Sequence, residues 1–253
     1  MAEIQLTAHE RHVAIVTIAN EPRRNAMSRA MMADLAALWD RLDADSDCRV
    51  VILTGAGDRA FSAGADLGGD MSAGEGTAHV INRALLKDTS FTKPIIAAVN
   101  GDCAGGGVEL LISTDIRGAV KEARFGLPEV KWSIYPFGGA TVKLMHQIGY
   151  VHAMDLLLTG RLVDADFAER IGLINTVTER GALMPWAIGI AETIAANSPT
   201  AVQAVKEQIS TSTADYAKSR EALEQALGDR VRASPDFAEG IAAFREKRKP
   251  DYS

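Results

Sequence analysis

A mixed α/β fold, with strands and helices alternating through most of the chain and helices alone at its end, is what this 253-residue sequence predicts. Three observations carry the prediction. Residues 49–54 and 94–99 are short apolar runs without alternation, the pattern of strands covered on both faces. Helical stretches separate the strand signals, which argues for right-handed crossover units. After Gly181 the strand signal disappears, and helical patterns run through 201–209, 217–231 and 236–247.

Each element has a local reason. Residues 13–18 are rich in β-branched side chains and read as a strand. A turn follows at Asn20-Glu21-Pro22, and Ser28 caps a helix expected to run to Ala44. The strand at 49–54 ends at Gly55-Ala56-Gly57-Asp58, and the strand at 94–99 ends at Asn100-Gly101. There is no strong internal repeat and no low-complexity linker, so the helical tail is expected to dock on the rest.

Composition narrows the function classes. With 47% hydrophobic and 24% charged residues, the chain has what a globular core needs, which excludes disorder. No apolar run approaches the roughly 20 residues of a membrane span. Met1-Ala2-Glu3-Ile4-Gln5-Leu6 lacks the charged start and apolar stretch of a secretory signal. Cys48 and Cys103 form neither a metal spacing nor a disulfide framework, consistent with a reducing cytoplasm. A net charge of −6 argues against sequence-independent nucleic-acid binding.

The candidate chemistry lies in two glutamates. Glu109 follows Gly105-Gly106-Gly107 at the start of an apolar helix, and Glu129 follows Pro128 in another apolar stretch. Burying a carboxylate without a partner is costly, so two of them beside glycine and proline suggest an acid/base site. Small residues around Ala63-Gly64-Ala65 let a ligand approach the backbone, with the Ala65 N–H pointing outward. Gly106 supplies an unpaired N–H at a helix start, able to donate to a developing oxyanion. Plainer readings stand beside these. Gly105–Gly107 can be a tight turn, Glu109 an ion-pair partner of Arg117, and Glu129 a turn carboxylate. Asp66 reads first as a turn or cap residue, Phe244 equally as a packing residue, and Lys247-Arg248-Lys249 first as a solvated helix end. His9, His12, His79, His146 and His152 form no triad or metal cluster.

Taken in order, the motifs resemble the crotonase superfamily, also called the enoyl-CoA hydratase/isomerase family. The resemblance rests on Ala14-Ile15-Val16-Thr17-Ile18, Asn25-Ala26-Met27-Ser28, residues 60–67, 99–110 and 125–144, and Leu157 with Thr159-Gly160-Arg161. It continues through Ile171-Gly172-Leu173-Ile174-Asn175, Glu239-Gly240-Ile241-Ala242-Ala243-Phe244 and Glu246-Lys247-Arg248-Lys249-Pro250, nearly the whole chain. It implies an α/β fold built as a crotonase-type spiral of ββα units with a helical C-terminal trimerisation region. The spiral and its CoA-thioester site would occupy residues 1–196. Residues 197–253 would serve oligomerisation and CoA contacts in a homotrimer or hexamer.

The resemblance also implies roles. Ala65 and Gly106 match the two backbone donors of the family's oxyanion hole, and Glu109 and Glu129 the two carboxylates of its hydratases. Ala65, Asp66, Leu67 and Gly68 would line the thioester end of the acyl-CoA, with Ala63 beside them. The backbone near Arg24 would face the CoA, and Phe244 and Lys247 the CoA of a neighbouring subunit. Where the family loop carries glycine near Ser133, Phe137 and Ala140, this chain has Lys131-Trp132-Ser133-Ile134-Tyr135-Pro136-Phe137-Gly138-Gly139-Ala140. Phe137 or Tyr135 would reshape the acyl pocket, and residues 68–76 would form another wall of it.

The expected activity is hydration of a 2-enoyl-CoA. Glu109 would activate the water, and Glu129 would exchange a proton at C2. A Δ3-Δ2 enoyl-CoA isomerase or a specialised acyl-CoA dehydratase is the alternative within the fold. A non-catalytic acyl-CoA- or RNA-binding relative is the alternative outside it, and a purely structural oligomer leaves the glutamates unexplained. No metal or redox cofactor is expected, coenzyme A being part of the substrate. The expected location is the cytoplasm, in acyl-CoA and fatty-acid metabolism.

Overall fold

The computed structural model describes residues 2–10, 12–66 and 77–252. Its strands are β1 (Glu3–His9), β2 (Val13–Ala19), β3 (Val50–Gly55), β4 (Ala60–Ser62), β5 (Ile95–Val99), β6 (Asp102–Ala104), β7 (Ile116–Val120), β8 (Arg124–Gly126), β9 (Val163–Asp164) and β10 (Thr176–Thr178). The helices are α1 (Arg29–Ala44), α2 (Thr77–Ala84), α3 (Gly106–Leu111), α4 (Ala140–Ile148), α5 (Tyr150–Thr159), α6 (Ala165–Arg170), α7 (Arg180–Ala195), α8 (Pro199–Arg232) and α9 (Pro235–Glu246).

Two sheets share these strands. The larger runs β1-β2-β3-β5-β7-β10, and every pairing in it except β1 with β2 is parallel. The smaller runs β4-β6-β8-β9, with β4, β6 and β8 parallel. The chain lays one strand in the large sheet, the next in the small sheet, then crosses by a helix and repeats. β3-β4-α2, β5-β6-α3 and β7-β8 are successive turns of this ββα spiral.

The doubly covered strands behave as their composition requires. β3 and β5 are buried at every position, and Val50, Ile52, Leu53, Ile95 and Ile96 are fully enclosed. Ser28 caps α1 by accepting the Met31 N–H at 3.3 Å. The buried face of α1 carries Leu35, Leu38 and Trp39, with the Trp39 indole donating to the Ala84 carbonyl at 2.9 Å. β1 carries no such apolar signal because it is a mostly exposed edge strand.

One element differs from the sequence expectation. The helical patterns at 201–209 and 217–231 are parts of a single 34-residue helix, α8, about 50 Å long. The intervening Ser210-Thr211-Ser212-Thr213 is a weak helix former. Ser212 and Thr213 turn their hydroxyls back to the Gln208 and Ile209 carbonyls, and Ala214 and Ala217 bury their methyls. Burial of that face overrides the local propensity.

Candidate active site

The parallel strands β4, β6 and β8 end at the same edge of the small sheet, and the loops that follow them carry the candidate groups. Beyond β4, Met27 donates to the Gly64 carbonyl at 2.8 Å and accepts from Asp66 N–H at 3.0 Å. This short parallel bridge between Met27 and Ala65 turns the Ala65 N–H to the opposite side, where it has no partner among the described residues. Ala63 N–H is held by the Arg24 carbonyl at 3.0 Å.

Beyond β6, Gly105 adopts φ +57, a left-handed conformation that bends the chain directly into α3. Gly106 is the first residue of α3, so its N–H lacks an intrahelical acceptor. A side chain on Gly64 would strike the Gly106 nitrogen, its Cβ coming within 2.6 Å. A Cβ on Gly106 would stand 3.4 Å from the Ala65 nitrogen. Two N–H groups from separate loops, without a hydrogen-bond partner among the described residues, therefore border one space.

Glu109 lies in the first turn of α3 and is 5% exposed. Its Oε1 accepts the Ala140 N–H at 3.3 Å, and the Gly138 N–H also reaches its carboxyl. The carboxyl thus caps α4, whose own cap residue is the side-chain-free Gly139. Burial pushes Glu109 up to about 7, against the pull of those two N–H groups and of the Lys87 cation. The alternative ion pair with Arg117 is not formed. Arg117 donates instead to Thr114 Oγ1 at 3.2 Å, to the Thr114 carbonyl at 2.7 Å and to the Leu173 carbonyl at 3.1 Å.

Glu129 sits beyond β8 in a 3₁₀ turn over Pro128–Trp132. The residue is half-buried, yet Oε2 is enclosed and has no hydrogen-bond partner among the described residues. Its Oε1 lies 3.2 Å from where a Gly105 Cβ would be, which places it against the glycine loop. Burial first, and then the Glu109 charge, push Glu129 up to about 8. The two acids are close enough to feel each other, and both are held near neutrality.

The other sequence candidates are more dispersed. Arg24 is exposed with φ +53, its guanidinium 3.9 Å from Asp102. Asp66 meets Arg23 at 3.2 Å. Leu67, Gly68 and the segment through Gly76 lie outside the described residues. Phe137 packs edge-on to Tyr135 at 5.0 Å, presses on Gly228 of α8 and lies under the Arg232 guanidinium at 4.6 Å. Phe244 meets Trp132 edge-on at 5.3 Å, and Lys247 ends α9 in a left-handed, exposed position. Ser133 takes φ +51.

Sequence reading missed a charged cluster behind Glu109. Lys87 and Glu224, each about 4% exposed at the side chain, face each other at 3.0 Å, and Thr141 Oγ1 donates to Glu224 Oε1 at 2.7 Å. Lys87 carried a signal, a lone cation closing the apolar run Ala84-Leu85-Leu86. Glu224, in a polar helical stretch, carried none. A separate cavity of about 920 Å³ lies between the first half of α8 and the core, beside Lys143, Gln147 and Lys206. Neither Glu109 nor Glu129 lines it. Among the described residues no cluster of His, Cys, Asp and Glu has a metal-holding arrangement, and no helix is long and apolar enough to cross a membrane.

Comparison with known proteins decides the family. The enoyl-CoA hydratase/isomerase model matches residues 8–253. The chain belongs to the enoyl-CoA hydratase/isomerase family. Within it, the chain is 43% identical over 249 residues to the enoyl-CoA hydratase EchA19 of Mycobacterium tuberculosis, covering 95% of this chain and 93% of that one. It is 37% identical over 244 residues to the short-chain-enoyl-CoA hydratase of Clostridium acetobutylicum, covering 95% and 94%. An enoyl-CoA hydratase/isomerase structure from Pseudoalteromonas atlantica superimposes with a TM-score of 0.90 at 30% identity, over 99% of this chain and 100% of that one. A carnitinyl-CoA dehydratase from Mycobacterium avium superimposes with a TM-score of 0.90 at 32% identity, over 100% and 99%. The fold of the enoyl-CoA hydratase/isomerase family is thus present in this chain.

Proposed function

We propose that the protein is a 2-enoyl-CoA hydratase. The observation that carries this reading is the pair of enclosed carboxyls, Glu109 and Glu129, beside two unpartnered N–H groups on neighbouring loops. The hydratase names of the relatives at 43% and 37% identity support it.

The thioester carbonyl oxygen accepts from the Ala65 and Gly106 N–H groups. One water is held between the two carboxyls. Glu109, as carboxylate, takes a proton from the water as its oxygen bonds to C3. The C2–C3 π electrons shift toward the carbonyl, and the enolate oxygen is stabilised by the two N–H groups. Glu129, as the acid, delivers its proton to C2. A proton then passes back from Glu109 to Glu129 and resets the pair. Each oxyanion donor contributes about 2.7–4 kcal/mol of transition-state stabilisation, the usual range for such groups.

Ala63, Ala65 and Asp66 line the thioester end in this reading, and the sequence candidates Leu67 and Gly68 lie outside the described residues. The backbone at Arg24 faces the CoA, Phe137 braces the acyl-side loop, and Phe244 and Lys247 reach a neighbouring subunit's CoA. A trimer or hexamer is supported by the exposed apolar side chains of α5, with Tyr150, Val151 and Leu158 each more than 60% exposed. Coenzyme A enters as part of the substrate, no separate cofactor is required, and the setting is cytoplasmic.

The test follows loss of enoyl-thioester ultraviolet absorbance with crotonyl-CoA and longer 2-enoyl-CoAs, for wild type, Glu109→Gln and Glu129→Gln. Hydration by wild type and a loss of about 10²-fold or more in each variant is expected. Retained isomerisation of a 3-enoyl-CoA by Glu109→Gln would favour the isomerase. Acyl-CoA binding with no turnover by wild type would overturn the hydratase.

A further inference from the structure

A buried ion pair is an uneconomical way to fasten a helix. Apolar residues of similar volume often do as well or better, because two charges lose their water on burial. Lys87 and Glu224 are nonetheless among the most enclosed charged side chains described, at 4% and 3% exposure. What an apolar pair cannot supply is an electric field, and Glu109 is a group that both charges act on.

The geometry links the three. Leu86 takes φ +50 just after α2, and this turn sends Lys87 inward, its stem against Gly139. Its ammonium stands 3.0 Å from Glu224 Oε2 without hydrogen-bond alignment, so that oxygen has no donor among the described residues. The other oxygen, Oε1, takes the Thr141 hydroxyl. Thr141 adjoins Ala140, whose N–H donates to Glu109. The charged or titratable groups around Glu109 are Glu129 from the 3₁₀ turn, Lys87 from the segment after α2, Glu224 from α8, Lys143 from α4 and Tyr135 from the loop before α4. Lys143 is turned to the Leu86 carbonyl at 2.6 Å and Ser113 Oγ at 3.0 Å.

We propose that the buried Lys87–Glu224 pair is a positioning device that makes Glu109, rather than Glu129, the carboxylate of the acid/base pair. Lys87 favours the ionised form of Glu109. Glu224, delivered by α8, offsets that cation in part and ties it, through Thr141, to the helix end that Glu109 caps. The assignment of α8 to the chemistry rests on the hydratase reading. The charge relationship among the three residues does not.

The experiment compares wild type with Lys87→Met, Lys87→Arg, Glu224→Gln and the Lys87→Met/Glu224→Gln double variant. Two readouts are taken: the pH profile of kcat/KM for 2-enoyl-CoA hydration, and the carboxyl titration of ¹³C-glutamate-labelled free protein, with Glu109 assigned by Glu109→Gln. Lys87→Met is expected to move both the acid limb and the Glu109 titration upward by about one pH unit. Glu224→Gln is expected to move both downward, the double variant to stay above wild type but by less than Lys87→Met, and Lys87→Arg to stay near wild type. Opposite shifts distinguish a field from mere fastening, which would lower stability in each variant and leave the titration in place. Shifts of the same sign, or none in folded protein, would overturn the proposal. If wild type hydrates no 2-enoyl-CoA, the hydratase reading falls, and the carboxyl titration still decides this one.

Discussion

Gly138 stands so close to Glu109 that any side chain there would occupy the space of the carboxyl's Oε2 and of Leu85. Both obstructing atoms are ends of flexible side chains, so Gly138→Ala is expected to fold and to displace the carboxyl rather than break the core. Its kcat should fall about 10²-fold, the usual scale for misplacing a reacting group by an ångström, while Tm moves little. A full-rate variant would mean that the Glu109 position is not critical.

In the proposed mechanism the two carboxyls set the pH profile. Glu109 and Glu129, held up to about 7 and about 8 by burial, titrate as one system, and in that mechanism the singly protonated form is the active one. Hydration should fall below about pH 7 as both become protonated and above about pH 8 as both ionise. A flat profile of kcat/KM between pH 6 and 9 would contradict this.

The same carboxyls weaken the fold at alkaline pH. Their ordinary value is 4.5, and the folded protein holds each proton to higher pH than the unfolded chain does. Below that value both states are protonated and stability is unaffected. Between it and about 8 the unfolded chain binds fewer protons, so stability declines as pH rises. Glu129→Gln should match wild type near pH 4 and exceed it above pH 8, raising Tm by several degrees at roughly 2–4 °C per kcal/mol. Thermal melts at the two pH values give the comparison, and equal Tm values at high pH would refute it.

Phe137 rests on Gly228, where a Cβ would run into its ring. Alanine normally stabilises a helix interior relative to glycine by about 1 kcal/mol. Here Gly228→Ala should destabilise by about 1–3 kcal/mol, the usual range for overpacking. Adding Phe137→Leu should recover part of the loss, and urea titrations of the single and double variants measure it. An unpaired gain from Gly228→Ala alone would show that the ring moves aside freely.

Much of this was legible in the sequence where one residue type answers one local demand. Glycines at 64 and 105 serve close approach and a left-handed turn, and the apolar runs at 50–54 and 95–99 can only be covered strands. Glu109 and Glu129 were conspicuous because carboxylates are rare in apolar stretches. The rest depended on distant packing. β1 has no apolar face to announce it. The continuity of α8 is decided by Ala214 and Ala217 meeting the core, against the local tendency of its serines and threonines. Glu224 looks like any solvent-facing glutamate until α8 is laid against α4. Ser133 shows that a left-handed position need not be glycine when its neighbours hold it there.

The small sheet also acts as a ruler. Ala65, Gly106 and Glu129 lie on three different loops, yet their spacing is fixed by pairings only two residues long, such as Ala60 with Asp102 and Cys103 with Phe125. A strand advances about 3.3 Å per residue. One residue inserted in β6 would carry Gly106 past Ala65 by more than a hydrogen bond's length and reverse the faces of that strand. β4 absorbs one extra residue against β6 through the register shift between Ala60 and Ser62, whereas β6 and β8 pair in step and leave no such room. Three tripeptides hold the tolerance of the entire site.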